Sequence, residues 1–83
     1  MDKSDIQSRV KKAIARVLDV DENSLGNETN FIFDLGANSQ QSVELVAAFE
    51  EEFGIEMEME KATEVQDVSG AVEFISECIS QQS

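Results

Sequence analysis

Apolar residues recur at helical spacing in three separate runs, and this constrains the fold more than any other feature of the chain. Ile6, Val10, Ala13, Ile14, Val17 and Leu18 form the first stripe. Leu45, Val46, Phe49 and Phe53 form the second, and Val68, Ala71, Val72, Ile75 and Ile79 the third. Side chains three and four apart fall on one face of a helix, and an apolar face is stable only when something covers it. No proline interrupts any run. In a chain of 83 residues the helices must cover one another. At this length roughly 60% of the unfolded surface is buried, enough for one small domain spanning residues 1–83.

The boundaries follow from capping chemistry. Ser4 is placed to cap the first helix. The second runs from about Ser39 to Phe53, with Gly54 as its left-handed stop. Asp67 or Ser69 caps the last, where Gly70 falls in the first turn and costs little. Ser80 to Ser83 reads as a frayed polar tail. Asp19 to Asn30 is a long polar loop, anchored by Leu25. Phe31, Phe33 and Leu35 alternate as in a strand, but no second strand exists to take the backbone hydrogen bonds. They read as a loop pinned to the core by one or two of these side chains. Between Ile55 and Val65 the pattern predicts a short helix around Met59 to Thr63, with Met59, Ala62 and Val65 inward. The methionines either line a groove or fill gaps in a small core. The fold class is therefore all-α: a small four-helix bundle, three main helices plus one short helix, with a long first loop.

The net charge of -12 repels nucleic acid and anionic membranes and favours partners with basic patches. Lys3, Arg9, Lys11, Lys12 and Arg16 are five of the six basic residues. They form either a solvated face that offsets the acidic remainder or a partner site. No apolar run reaches membrane-spanning length, and the polar N-terminus lacks the apolar centre of a secretory signal. The single Cys78 cannot form an internal disulfide and reads as a core thiol. A reducing, cytoplasmic setting fits.

With no histidine in the chain, Ser-His-Asp and Cys-His catalysis and histidine metal sites are excluded. Asp19, Asp21 and Asn23 occupy positions 1, 3 and 5 of a calcium loop. Ser24 stands where the loop needs glycine, and Asn30 where it needs a bidentate glutamate. Capping and turn formation explain these residues better, so no specific metal site is expected, though local carboxylates suit loose divalent binding.

One stretch remains: Asp34-Leu35-Gly36-Ala37-Asn38-Ser39-Gln40-Gln41-Ser42-Val43-Glu44-Leu45. A turn at Gly36 leads into Asn38 and Ser39, both good capping residues, and then into the second amphipathic run. Ser39 is thereby set in the first helical turn with its hydroxyl toward solvent. Helix N-termini hold unpaired N–H groups and the positive end of the dipole, which suits a phosphate. Locally, a plain capping role for Ser39 explains the same residues.

Asp34-Leu35-Gly36, Ser39 and Val43-Glu44-Leu45 resemble the modification motif of acyl carrier proteins. The resemblance extends to Ile14–Leu18, Phe49–Phe53 and Thr63–Asp67, and so covers nearly the whole chain. It implies a 4′-phosphopantetheine arm on Ser39 that carries acyl groups as thioesters. It also implies a non-catalytic carrier for fatty-acid or specialised acyl or polyketide synthesis, and a single domain with its own Met1 is expected to be free-standing and monomeric. Its partners would be a phosphopantetheinyl transferase and acyl-handling enzymes with basic docking patches. By the same resemblance Glu44, Glu50 and Glu51 match the acidic recognition positions of the second helix, and Val43 and Ala47 the apolar contacts between them. The sequence departs from the family beside the serine, with Asn38 in place of the usual Asp and Gln40 in place of the usual Leu. An aminoacyl or peptidyl carrier has a similar motif. A reading from another class is a small acidic helical adaptor that responds to divalent cations through the Asp19 loop.

Overall fold

Residues 2–82 are described by the computed structural model, which contains four α-helices: α1 Lys3–Leu18, α2 Ser39–Phe53, α3 Met59–Ala62 and α4 Val68–Gln82. A single 3-10 turn, Glu22–Ser24, lies in the long first connection. The expected all-α bundle of three main helices and one short helix is what forms.

The α1 helix packs against both α2 and α4, and α3 rests on α2. Its stripe supplies Ile6, Val10, Ala13 and Ile14 to the core. From α2 come Leu45, Ala48 and Phe49, and from α4 Val68, Ala71, Val72 and Ile75. Val17, Leu18, Phe53 and Ile79 are half-buried at the margins of this cluster.

Several ends differ from expectation. Asp2, not Ser4, precedes α1, and Ser4 lies inside its first turn. The helix starts two residues earlier than expected, with Asp5 still in the first turn and Arg16 in the last, where each complements the helix dipole. Asp19 closes α1 in the left-handed region, at φ 55°, and its amide bonds the Ala15 carbonyl. Gly54 closes α2 in the same way at φ 63°. Asp67 caps α4, its carboxylate accepting the Gly70 amide at 2.7 Å. A Cβ at position 70 would stand 2.8 Å from that carboxylate oxygen, so a larger residue there would require the Asp67 side chain to shift. The expected frayed tail is helical through Gln82, and only Ser83 of that stretch lies outside the described residues.

Met59 faces outward, 43% exposed, contrary to the expected inward packing. Side chains tilt toward the N-terminus of a helix, so the first residue of a one-turn helix overhangs its end. Met57 packs against the core in its place. Its amide donates to Glu50 Oε2 at 2.9 Å, which turns the chain inward after Gly54 and buries Ile55. Ala62 is buried and Val65 half-buried, as expected.

The first connection is pinned by side chains and by backbone. Leu25 and Phe31 are buried and Leu35 is half-buried, whereas Phe33 is 82% exposed. The Phe31 amide donates to the Gln66 carbonyl at 2.7 Å. The amides of Val68 and Ser69 donate to the carbonyls of Thr29 and Asn27. The start of α4 thus stitches the loop in place. Asp21, considered above as a calcium ligand, instead accepts the Asn23 amide at 2.9 Å.

Candidate functional site

The approach to α2 is a closed turn built by two polar side chains. Asn30 Oδ1 accepts the amides of both Ile32 (2.8 Å) and Phe33 (2.9 Å). The Asp34 carboxylate accepts the Asn30 amide at 2.8 Å. Backbone bonds from Asp34 and Leu35 to the Asn30 carbonyl, and from Gly36 to that of Ile32, complete it. Gly36 sits at φ 70°, a region that side chains with a Cβ rarely adopt. The Ala37 amide then bonds the Phe31 carbonyl at 2.8 Å, and Ala37 is buried. The chain therefore enters α2 from a fixed direction.

Asn38 is the cap of α2. Its side-chain oxygen accepts the Gln41 amide at 2.8 Å, and Gln41 Oε1 accepts the Asn38 amide at 3.0 Å, forming a capping box. Ser39 is the first helical residue and is exposed. The cap and the Asn38 carbonyl engage the amides of Gln41 and Ser42. Those of Ser39 and Gln40 have no partner among the described residues. No acidic residue occupies the first turn. The positive end of α2 is therefore left uncompensated beside the Ser39 hydroxyl.

A cleft of about 520 Å³ opens at this point. It is lined by Ser39, Asn38, Ser42 and Val43 from α2 and its cap, by Ile32 and Ala37 from the preceding turn, and by Thr63 just past α3. Val43 is 45% exposed, and Ala47 and Glu44 are also exposed along α2. Gln40 Nε2 makes only a long contact, 3.5 Å, to Glu44 Oε1. Glu51 is exposed, but Glu50 is half-buried and bonded to the Met57 amide. Glu50 is therefore a structural pin as well as a surface charge.

The structure brings Asn38, Ser39 and Val43 together at the cleft and leaves Ala47 and Glu51 farther along the helix. Sequence reading missed Ile32 and Thr63 as cleft residues, and missed that Asn30 and Asp34 build the turn. The signal for the turn was present: Asn and Asp four apart in a loop are the residues that bond nearby backbone amides.

Cys78 is half-buried rather than enclosed. It lines a separate cleft with Glu56, Glu58, Lys61, Phe74, Glu77 and Gln81. Burial, and secondarily the Glu77 charge, push its thiol above the usual value. Both effects disfavour the thiolate.

Among the described residues no helix is long and apolar enough to cross a membrane. The sequence pattern of the family described as "phosphopantetheine attachment site" matches residues 8–75. That span runs from the first turns of α1 to the core of α4 and includes the whole Ser39 region. Domains of this family are carriers rather than catalysts, they work with phosphopantetheinyl transferases and acyl-processing enzymes in general, and their cofactor is a covalently attached 4′-phosphopantetheine. The chain belongs to this family of acyl-carrier-like proteins.

Proposed function

We propose that residues 1–83 form one acyl-carrier domain, that Ser39 is the attachment residue, and that the chain serves fatty-acid or specialised acyl or polyketide synthesis. The observation that carries this reading is Ser39 itself: an exposed hydroxyl on the first residue of α2, with two amides at that helix end that have no partner among the described residues and a cleft alongside.

The residues fit the group. A phosphodiester on Ser39 Oγ would lie at the uncompensated end of α2, where backbone N–H groups and the dipole favour an anion. When attached, the arm supplies a thiol, which holds acyl groups in an activated form that a small soluble body can present to successive enzymes. The chain's own part is to hold the hydroxyl clear of the core. The Asn30–Asp34 turn fixes the entry, Asn38 takes over the capping, and the Ser39 side chain is left free for transfer. Ser39 Oγ would bond to phosphorus of a coenzyme A-type pyrophosphate as the P–O bond to the nucleotide breaks. The hydroxyl proton would leave to a base of the transferase. The acidic α2 surface, Glu44 and Glu51 with Val43 and Ala47 between them, suits recognition by basic enzyme patches. Neither the charge pattern nor the fold calls for a nucleic acid or membrane partner, and a cytoplasmic monomer suits the role.

Mass spectrometry of protein made beside a phosphopantetheinyl transferase tests the reading. One arm is expected on the natural chain and none on Ser39→Ala. No mass gain on the natural chain would return the protein to the acidic-adaptor reading. Cargo capture in the producing cell would then separate acyl from aminoacyl carriage.

A further inference from the structure

Phe33 is 82% exposed, and its neighbour Ile32 is 40% exposed. Folding does not need Phe33 there: the turn is closed by Asn30, Asp34 and Gly36, and anchored by Phe31 and Ala37. The same hydrogen bonds fix the backbone of both residues, through Asn30 Oδ1 to the Ile32 and Phe33 amides. An aromatic ring held outward on a rigid turn loses little freedom when a partner covers it, and such anchors dominate interface energies. Ile32 also lines the cleft that contains Ser39.

Resting on the carrier reading above, we propose that the Ile32–Phe33 tip is a docking anchor for the enzyme that attaches the arm. That enzyme would hold an apolar pocket for the phenyl ring within a basic rim. The choice of partner follows from reach. Enzymes that act on the end of a long arm need not touch the protein near Ser39. The attaching enzyme must bring phosphorus to Ser39 Oγ itself, so its surface must cover the cleft walls, and Ile32 is one of them. The basic rim follows from charge. Between Arg16 and Lys61 every charged residue is acidic, which includes Asp34 and Glu44 on either side of the serine. The same uniform charge opposes a second copy of this chain as the occupant, because two such faces repel.

The test is steady-state loading of the natural chain, Phe33→Ser, Phe33→Leu and Glu44→Gln. It uses a broad-specificity phosphopantetheinyl transferase with coenzyme A, at about 0.05 M and about 0.5 M NaCl. Melting curves check each variant's fold. Phe33→Ser is expected to raise KM for the carrier about tenfold, the loss of one good apolar anchor, with kcat and melting temperature unchanged. Phe33→Leu should recover most of the loss. The Phe33→Ser effect should persist at high salt, whereas the Glu44→Gln effect should fade as charges are screened. An unchanged KM for Phe33→Ser, or a change confined to kcat, would overturn the anchor while leaving the carrier reading intact. A natural chain that takes no arm at all would overturn both.

Discussion

Asn38 and Gln41 cap α2 reciprocally, each side-chain oxygen taking the other's amide, at 2.8 and 3.0 Å. Ser39 lies between them and takes no part. The residue that resembles a modification site and the residue that caps the helix are therefore different, which separates chemistry from stability. Ser39→Ala should shift stability by less than about 0.5 kcal/mol, as for an ordinary surface position. Asn38→Ala should cost about 1 kcal/mol, and Asn38→Asp should keep the cap. Urea unfolding followed by circular dichroism measures all three. An Ser39→Ala loss as large as that of Asn38→Ala would contradict the assignment.

The positions flanking the serine carry a second expectation. Asn38 keeps the shape and capping ability of an aspartate without its charge, and a charge-assisted hydrogen bond is roughly twice as strong as a neutral one. Gln40 is exposed and only weakly held by Glu44, so its amide is presented to whatever docks. An amide left unpaired against an apolar pocket costs on the order of 1–3 kcal/mol. Asn38→Asp combined with Gln40→Leu should load at least several-fold faster than the natural chain with a general-purpose transferase. Equal rates for the natural chain, both single variants and the double variant would mark the two residues as drift. The sites are neighbours, so the single effects need not add.

Gly36 should be the least replaceable residue of the turn. Its φ of 70° costs an ordinary L-residue about 1–2 kcal/mol, although the space around a Cβ there is open. Gly36→Ala should destabilise the fold by about that amount, and Gly36→Asn by less, since asparagine tolerates the left-handed region. Thermal melting decides it, and a loss for Gly36→Asn as large as that for Gly36→Ala would contradict backbone strain as the cause.

Charge should set the salt response. A net charge of -12 on a small domain repels itself, and at 0.1 M salt the screening length is about 10 Å. Only the exposed pairs Lys3–Glu73 at 2.9 Å and Lys61–Glu58 at 3.2 Å oppose this among the described residues. Exposed pairs contribute little. The melting temperature should rise with NaCl and further with millimolar Mg²⁺ or Ca²⁺, without calcium selectivity. A flat or falling curve would refute this.

The helices and their core were legible in the sequence because burial imposes a period. The stripes of α1, α2 and α4 supply most of the buried cluster, and Gly54 stops α2 as its position implied. What was not legible depended on contacts across the chain. Met59 and Met57 look alike locally, and it is Met57, its amide bonded to Glu50 seven residues back, that turns inward. Phe31 and Phe33 share an alternation, yet the Asn30 hydrogen bonds determine that one is core and the other surface. The helix start that exposes Ser39 could be located from Asn38, but the cleft could not. Its walls come from three separate segments, and nothing in Ile32 or Thr63 marks them as neighbours of Ser39.

The bond from the Phe31 amide to the Gln66 carbonyl has a consequence for the order in which the protein is made. Synthesis runs from the N-terminus, so Ser39 and all of α2 are joined to the chain before Gln66 is added. Until then the turn ahead of Ser39 lacks its cross-chain fastening, and the amides of Val68 and Ser69 that hold Thr29 and Asn27 are also missing. The serine is made first, and the residues that complete its surroundings, Gln66 to Ser69, are added nearly thirty positions later.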